Sequence, residues 1–237
     1  MAFFEEDPQA RQPFLNAPAS VLWLIAIFLA AHVARVSLPG DWPDRIVEQY
    51  ALIPANYALA AAQGWSTGDL LSLGLSFVSY VFLHGDYTHV GVNCLWLLAF
   101  GPVVARRLGT VPFLAFFFLC AIAAAGLHLA VYWGSPGAVI GASGGVSGLM
   151  GAAMRIAYGR VYGYPGERTP LAPLLSRRIV AFSAVWTIIN IVSGIFRFGV
   201  TDELTLVAWV AHLGGYFTGL LAIGPLDRRI MRALTHS

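Results

Sequence analysis

The stretch GASGGVSGLMGAAM, residues 141–154, decides how the rest of the chain is read. Gly144, Gly148 and Ala152 recur at every fourth position, so on a helix they form one smooth stripe. In lipid, where apolar side chains gain nothing by leaving the hydrocarbon, helices associate through such stripes because small residues let two backbones approach closely. A second stripe with the same period, Ala211, Gly215 and Gly219, lies in AWVAHLGGYFTG, residues 208–219. The two are expected to meet face to face. Taken alone, GASGGVSG is a packing stripe and nothing more.

The surroundings are those of a membrane protein. Of 237 residues 58% are hydrophobic and 11% charged, far outside the range of a water-soluble surface. A hydrocarbon core of about 30 Å needs about 20 apolar residues in a helix. Runs approaching that length begin and end near Pro18–Leu38, Thr88–Ala105, Thr110–Trp133, Ala142–Tyr158, Ile179–Phe196 and Leu204–Gly224. The expected fold is therefore an all-α polytopic bundle of six transmembrane helices. It divides into a short tail (residues 1–17), a membrane domain (18–224) and a second tail (225–237).

All fourteen basic residues are arginine. With the N-terminus inside, eleven of them (Arg11, Arg106, Arg107, Arg155, Arg160, Arg168, Arg177, Arg178, Arg228, Arg229 and Arg232) face the cytoplasm and three (Arg35, Arg45 and Arg197) face out. Cytoplasmic loops are enriched in arginine, so both termini are expected in the cytoplasm. The acidic, Pro-containing start, Glu5 to Pro8, does not resemble the basic n-region of a cleaved signal, which makes the first span a retained anchor. A net charge of +2, scattered along the chain, implies no nucleic-acid partner. Cys94 and Cys120 lie in apolar runs and read as small buried hydrophobes.

Between the first two spans, Pro39–Tyr87 is half apolar, interrupted by glycines and dotted with acids. A structureless loop of that length is unusual, so short helices lying in the membrane interface are expected there. An extra span over Leu70–Leu83 would be too short to cross unaided.

Strongly polar side chains inside spans are costly and mark function. His89 and Asn93, spaced i, i+4, share one helix face near the outer end of the second span. Ser143 opens the fourth span, and His212 lies eight residues into the sixth, roughly 12 Å below its outer end. A hydroxyl becomes a useful nucleophile when a base within hydrogen-bond reach takes its proton, and histidine suits that task near neutral pH. Ser143 and His212 can form such a pair if the small-residue stripes bring their helices together. A serine at a helix N-terminus also offers an unpaired amide to a developing oxyanion, with Asn93 and His89 as further donors. No Asp or Glu lies beside the pair, so a dyad is expected rather than a triad.

Three motifs, HGDYTHVGVN (residues 84–93), GASG (141–144) and AHLGGYFTG (211–219), occur in an order and at separations that resemble the rhomboid intramembrane proteases. The resemblance covers roughly Leu70–Gly224. It implies a six-helix rhomboid-like core of bacterial type, with Ser143 as nucleophile, His212 as base, and His89, Asn93 and the Ser143 amide as oxyanion donors. It makes His84 a structural or water-retaining residue and Gly141, Gly144, Gly215 and Gly219 supporting ones. Membrane-spanning protein substrates cut near the outer face and the absence of any cofactor follow from the same resemblance. An Ala, Gly and Arg bias, usual for a GC-rich genome, points to a bacterial plasma membrane, and no metal is expected. Two departures stand out. Ser147 occupies a place where many relatives carry an aromatic residue against the base, and Leu75 and Ser76 replace a Trp-Arg pair of some bacterial members.

Two other readings compete. A metal site or transporter could use His84, His89, His212 and Asp86, although such sites usually recruit carboxylates or thiolates at tight spacing. A catalytically silent relative acting as a binding factor is disfavoured by the presence of both Ser143 and His212. His32 and His128 are expected to be hydrogen-bonded or snorkelling, and His236 to lie in a frayed tail. The Gly199–Glu203 loop is a candidate gate above the site, and the gap between the second and fifth spans a candidate entrance.

Overall fold

A computed structural model describes residues 17–159, 169–196 and 209–235. The Gly199–Glu203 loop, Arg11, Arg160, Arg168, Arg197 and His236 lie outside the described residues, as does nearly all of the tail at residues 1–17. The described chain is helical throughout, apart from turns and one isolated bridge between Leu52 and Val139. Its helices are α1 (Ala19–Val36), α2 (Trp42–Tyr50), α3 (Pro54–Gln63), α4 (Thr67–Ser79), α5 (Tyr87–Leu108), α6 (Thr110–Val131), α7 (Ser143–Ala157), α8 (Arg177–Phe196) and α9 (Trp209–Thr235), with a 3-10 turn at Tyr80–Phe82.

Four of these, α1, α5, α6 and α8, are long and apolar enough to cross a bilayer. The helix α7 is shorter, at 15 residues, but it sits in the middle of the bundle with every residue from Gly144 to Ala153 buried. It packs against α9 most extensively, and against α6 and α5 on its other sides. Such a helix meets protein all round, so its length need not match the hydrocarbon. The helix α9 outlasts its apolar run, continuing through Gly224 and Pro225 to Thr235.

The stripes meet as expected. A methyl group at Gly215 would collide with the Gly144 carbonyl, and one at Gly219 with the Gly148 carbonyl. The two backbones thus touch along two helical turns, at a distance only glycine permits. Around this seam the core is aromatic, with Phe28, Phe113, Phe116, Phe117, Tyr80 and Tyr216 fully buried.

The segment between α1 and α5 folds as three helices rather than as a loop. Pro43 and Pro54 sit in the first turns of α2 and α3, where a missing N–H costs nothing. The start of α4 is a capping box, with Ser66 Oγ accepting from the Asp69 amide at 3.1 Å and Asp69 accepting from the Ser66 amide at 3.0 Å. The Ser66 hydroxyl, which donates to the same carboxylate at 2.6 Å, and then the Ser66 amide hold the exposed Asp69 carboxyl below its ordinary pKa. The single residue Gly109, at φ +81°, turns α5 directly into α6.

At the end of the bundle where α5 closes, Arg107 forms a two-pronged ion pair with Asp227 of α9, at 2.8 and 2.7 Å, and donates to the Thr169 carbonyl at 2.8 Å. Arg155 of α7 donates to the carbonyls of Ala172 and Leu220 at 3.1 and 3.0 Å. Of the four helices long and apolar enough to cross a bilayer, α8 is the least embedded. Its buried residues are Ile179 and Asn190, while Val180, Val185, Ile188, Ile189 and Ile195 are exposed.

Candidate active site

Backbone conformation sets up the site before any side chain does. Gly141 has φ +111°, which side-chain-bearing residues rarely adopt, and its amide donates to the Tyr80 carbonyl at 2.9 Å. A Cβ at this position would stand 2.7 Å from His89 Nε2. Glycine therefore serves twice here, allowing the turn and making room for the imidazole. Two residues later the chain enters α7 with Ser143 as its first helical residue, so the Ser143 amide is among the N–H groups that a helix start leaves without an intrahelical acceptor.

Ser143 and His212 are brought together. His212 Nε2 lies 2.8 Å from Ser143 Oγ, within the distance at which a proton is shared. The register that makes this contact is the glycine seam, since Gly215, three residues past His212, packs on Gly144, the residue after Ser143. Both side chains are half-buried rather than sealed.

The other ring nitrogen, His212 Nδ1, lies 2.9 Å from Asn190 Oδ1 on α8. Asn190 is 4% exposed and its amide nitrogen donates to the Trp186 carbonyl at 2.9 Å. Sequence alone does not mark this residue as the partner of His212, because an orienting group is ordinarily a carboxylate. The signal was present: an uncharged carboxamide in the apolar run TIINIVSGIF, residues 187–196, is itself a costly intramembrane polar group. Ser147 is buried in the α7 core.

His89 and Asn93 line the same place from α5. Both approach Gly141, with Asn93 Nδ2 3.8 Å from where its Cβ would be. One Asn93 amide proton is directed to the His89 carbonyl at 2.9 Å, and a carboxamide has a second. Asp86 caps α5, accepting from the His89 amide at 2.8 Å, which fixes where His89 falls in the first turn. The Gly85 amide donates to His89 Nδ1 at 3.3 Å.

His84 lies in the turn before α5 and is fully buried. Its Nε2 accepts from the Ala142 amide at 3.5 Å, tying that turn to the residue before Ser143. Its carbonyl takes hydrogen bonds from His32 Nδ1 at 3.1 Å and Arg35 Nη2 at 2.7 Å. Burial, with the charges of His89 and His32 nearby, pushes the His84 imidazole down to about 3, so it stays neutral at physiological pH. His32 is thus hydrogen-bonded, as expected. His128 differs from expectation: it is fully buried with neither ring nitrogen hydrogen-bonded and its ring centroid 4.7 Å from that of Tyr132.

The family model described as Rhomboid domain matches residues 73–229, which include every residue of the cluster around Ser143 and His212 apart from His32 and Arg35. The chain is 33% identical over 174 residues to the "Rhomboid protease GlpG" of Yersinia pestis and, at the same identity, to that of Yersinia pseudotuberculosis, covering 72% of this chain and 55% of theirs. It is 26% identical over 219 residues to "Rhomboid protein 1, mitochondrial" of Saccharomyces cerevisiae, covering 88% of this chain and 54% of that one. The chain spans about half the length of the curated relatives it matches. With its helical bundle, its apolar spans and this match over most of its length, the chain is an integral membrane protein that belongs to the rhomboid family.

Proposed function

We infer that the protein is an intramembrane serine endopeptidase that cleaves membrane-spanning helices near the outer membrane face, with Ser143 as nucleophile and His212 as general base. The observation that carries the reading is the 2.8 Å contact between Ser143 Oγ and His212 Nε2, made between two helices whose close approach depends on glycine. The family's proteases support the same reaction class.

In this reading six helices (α1, α5, α6, α7, α8 and α9) form the membrane core, α2 to α4 lie in the outer interface, and both termini face the cytoplasm of a bacterial plasma membrane. A substrate helix enters between α5 and α8. The exposed aliphatic residues of α8 give an arriving helix an apolar approach. The substrate must unwind locally, because an intact helix holds its carbonyls in its own hydrogen bonds. Ser143 Oγ then attacks the exposed carbonyl carbon while its proton passes to His212 Nε2. Charge develops on the carbonyl oxygen, where the Ser143 amide and the side chains of Asn93 and His89 donate to it. The C–N bond breaks as His212 returns the proton to the leaving amine, and water releases the acyl group with His212 again as base. No step needs a metal or a cofactor.

The test is cleavage of a single-span substrate by the protein in liposomes. Ser143→Ala and His212→Ala are each expected to abolish cleavage while keeping the wild-type melting temperature. Normal turnover by the Ser143 variant would overturn the assignment.

A further inference from the structure

We propose that Asn190 is a positioning residue that fixes both the tautomer and the aim of His212, so that the reacting unit is a line of hydrogen bonds running from Trp186 through Asn190 and His212 to Ser143. This rests on the reading of Ser143 and His212 as nucleophile and base.

The direction of every bond in that line follows from its two ends. The Trp186 carbonyl only accepts, so the Asn190 group 2.9 Å from it must be the amide nitrogen. Asn190 Oδ1 is then the atom facing His212, and it too only accepts. The proton between them, across 2.9 Å, must therefore belong to His212 Nδ1. A neutral imidazole protonated on Nδ1 has a bare lone pair on Nε2, and that nitrogen is the one 2.8 Å from Ser143 Oγ. The serine hydroxyl is left to donate to it, which is the arrangement a general base needs. The opposite tautomer would aim an N–H at Ser143 and set the Nδ1 lone pair against the Oδ1 lone pairs.

Burial makes the orientation durable. Asn190 is one of the few inward residues of an otherwise outward-facing aliphatic helix, and turning its amide around would leave two carbonyl oxygens opposed at a buried position. Asn190 also supplies what Ser147 cannot. A stacked aromatic ring would hold the imidazole plane by contact, whereas the carboxamide holds it by a directional bond to the nitrogen away from Ser143. Because the acceptor is neutral, no carboxylate has to be desolvated in the apolar bundle.

Among the described residues, the titratable groups near His212 are His89 from α5 and His128 from α6. From α7 it meets Ser143 and from α8 the uncharged Asn190, so a charge introduced at position 190 would stand out against that background.

The experiment compares Asn190→Leu and Asn190→Asp with the wild type in liposomes, reading kcat, KM, the pH dependence of kcat, and the rate at which a fluorophosphonate labels Ser143. Leucine keeps the volume and suits an apolar helix but removes the acceptor. It should lower kcat and the labelling rate together by on the order of ten- to a hundredfold, with KM unchanged. Aspartate keeps the acceptor. It should recover most of kcat and move the acid limb of the profile to higher pH, since a carboxylate stabilises the imidazolium and the base works only when neutral. Wild-type kcat and labelling in Asn190→Leu would overturn the proposal. So would a loss seen only in KM or in the folded fraction, or an equal loss of kcat in a folded Asn190→Asp. A wild-type protein that neither cleaves nor takes the label would instead sink the reading beneath it.

Discussion

Asn93 illustrates how much a single side chain is asked to do. One of its amide protons is held by the His89 carbonyl, which fixes the carboxamide plane against Gly141, and the second is the donor assigned to the oxyanion. Asn93→Ala is expected to lower kcat by on the order of ten- to a thousandfold, the range for losing one such donor, with little change in KM. Steady-state cleavage of a membrane-helix substrate measures it. Ser143, His212, His89 and Asn93 were all legible as chemistry-bearing residues because each is a polar group in an apolar run. Asn190 obeys the same rule and was still missed. A negative charge is the usual mark of a group that orients an imidazole, whereas a neutral acceptor does so at lower desolvation cost.

Between elements, the decisive contact is the glycine seam of α7 and α9. Its period of four was readable in the sequence, and so was its partner stripe, because both encode close backbone approach directly. The seam also sets the distance between Ser143 and His212, which lie within one turn of it. Gly219→Ala places a methyl where the Gly148 carbonyl stands, so the helices must move apart. The expected cost is about 1–3 kcal/mol, as for overpacking elsewhere, with a parallel loss of cleavage as the imidazole withdraws from the hydroxyl. Thermal unfolding in detergent, read beside the cleavage rate, checks both. An unchanged melting temperature with full activity would show that the seam is looser than the structure has it. The helix α7 itself was taken from sequence as a span. That it is also enclosed by protein, so that 15 residues suffice, depends on neighbours no local pattern reports.

At the scale of the whole molecule, two polar assemblies close the bundle. One is the site; the other is the cluster that joins α5, α7 and α9 through Arg107, Asp227 and Arg155. Arginine bias read from sequence concerns only which side of the membrane a loop occupies. It carries no trace of the pairing between Arg107 and Asp227, which are 120 residues apart and about nine-tenths buried. Asp227→Ala leaves the guanidinium buried without its carboxylate, and a loss of roughly 3–5 kcal/mol is expected. Replacing both residues by leucine should cost less than that, as followed by thermal unfolding in detergent. The account as a whole turns on one shared proton, and covalent labelling reads it directly. Mass spectrometry of the protein treated with a fluorophosphonate should locate the adduct on Ser143 in the wild type and find almost none in His212→Ala. An adduct on another serine, or equal labelling of Ser143 without the imidazole, would contradict it.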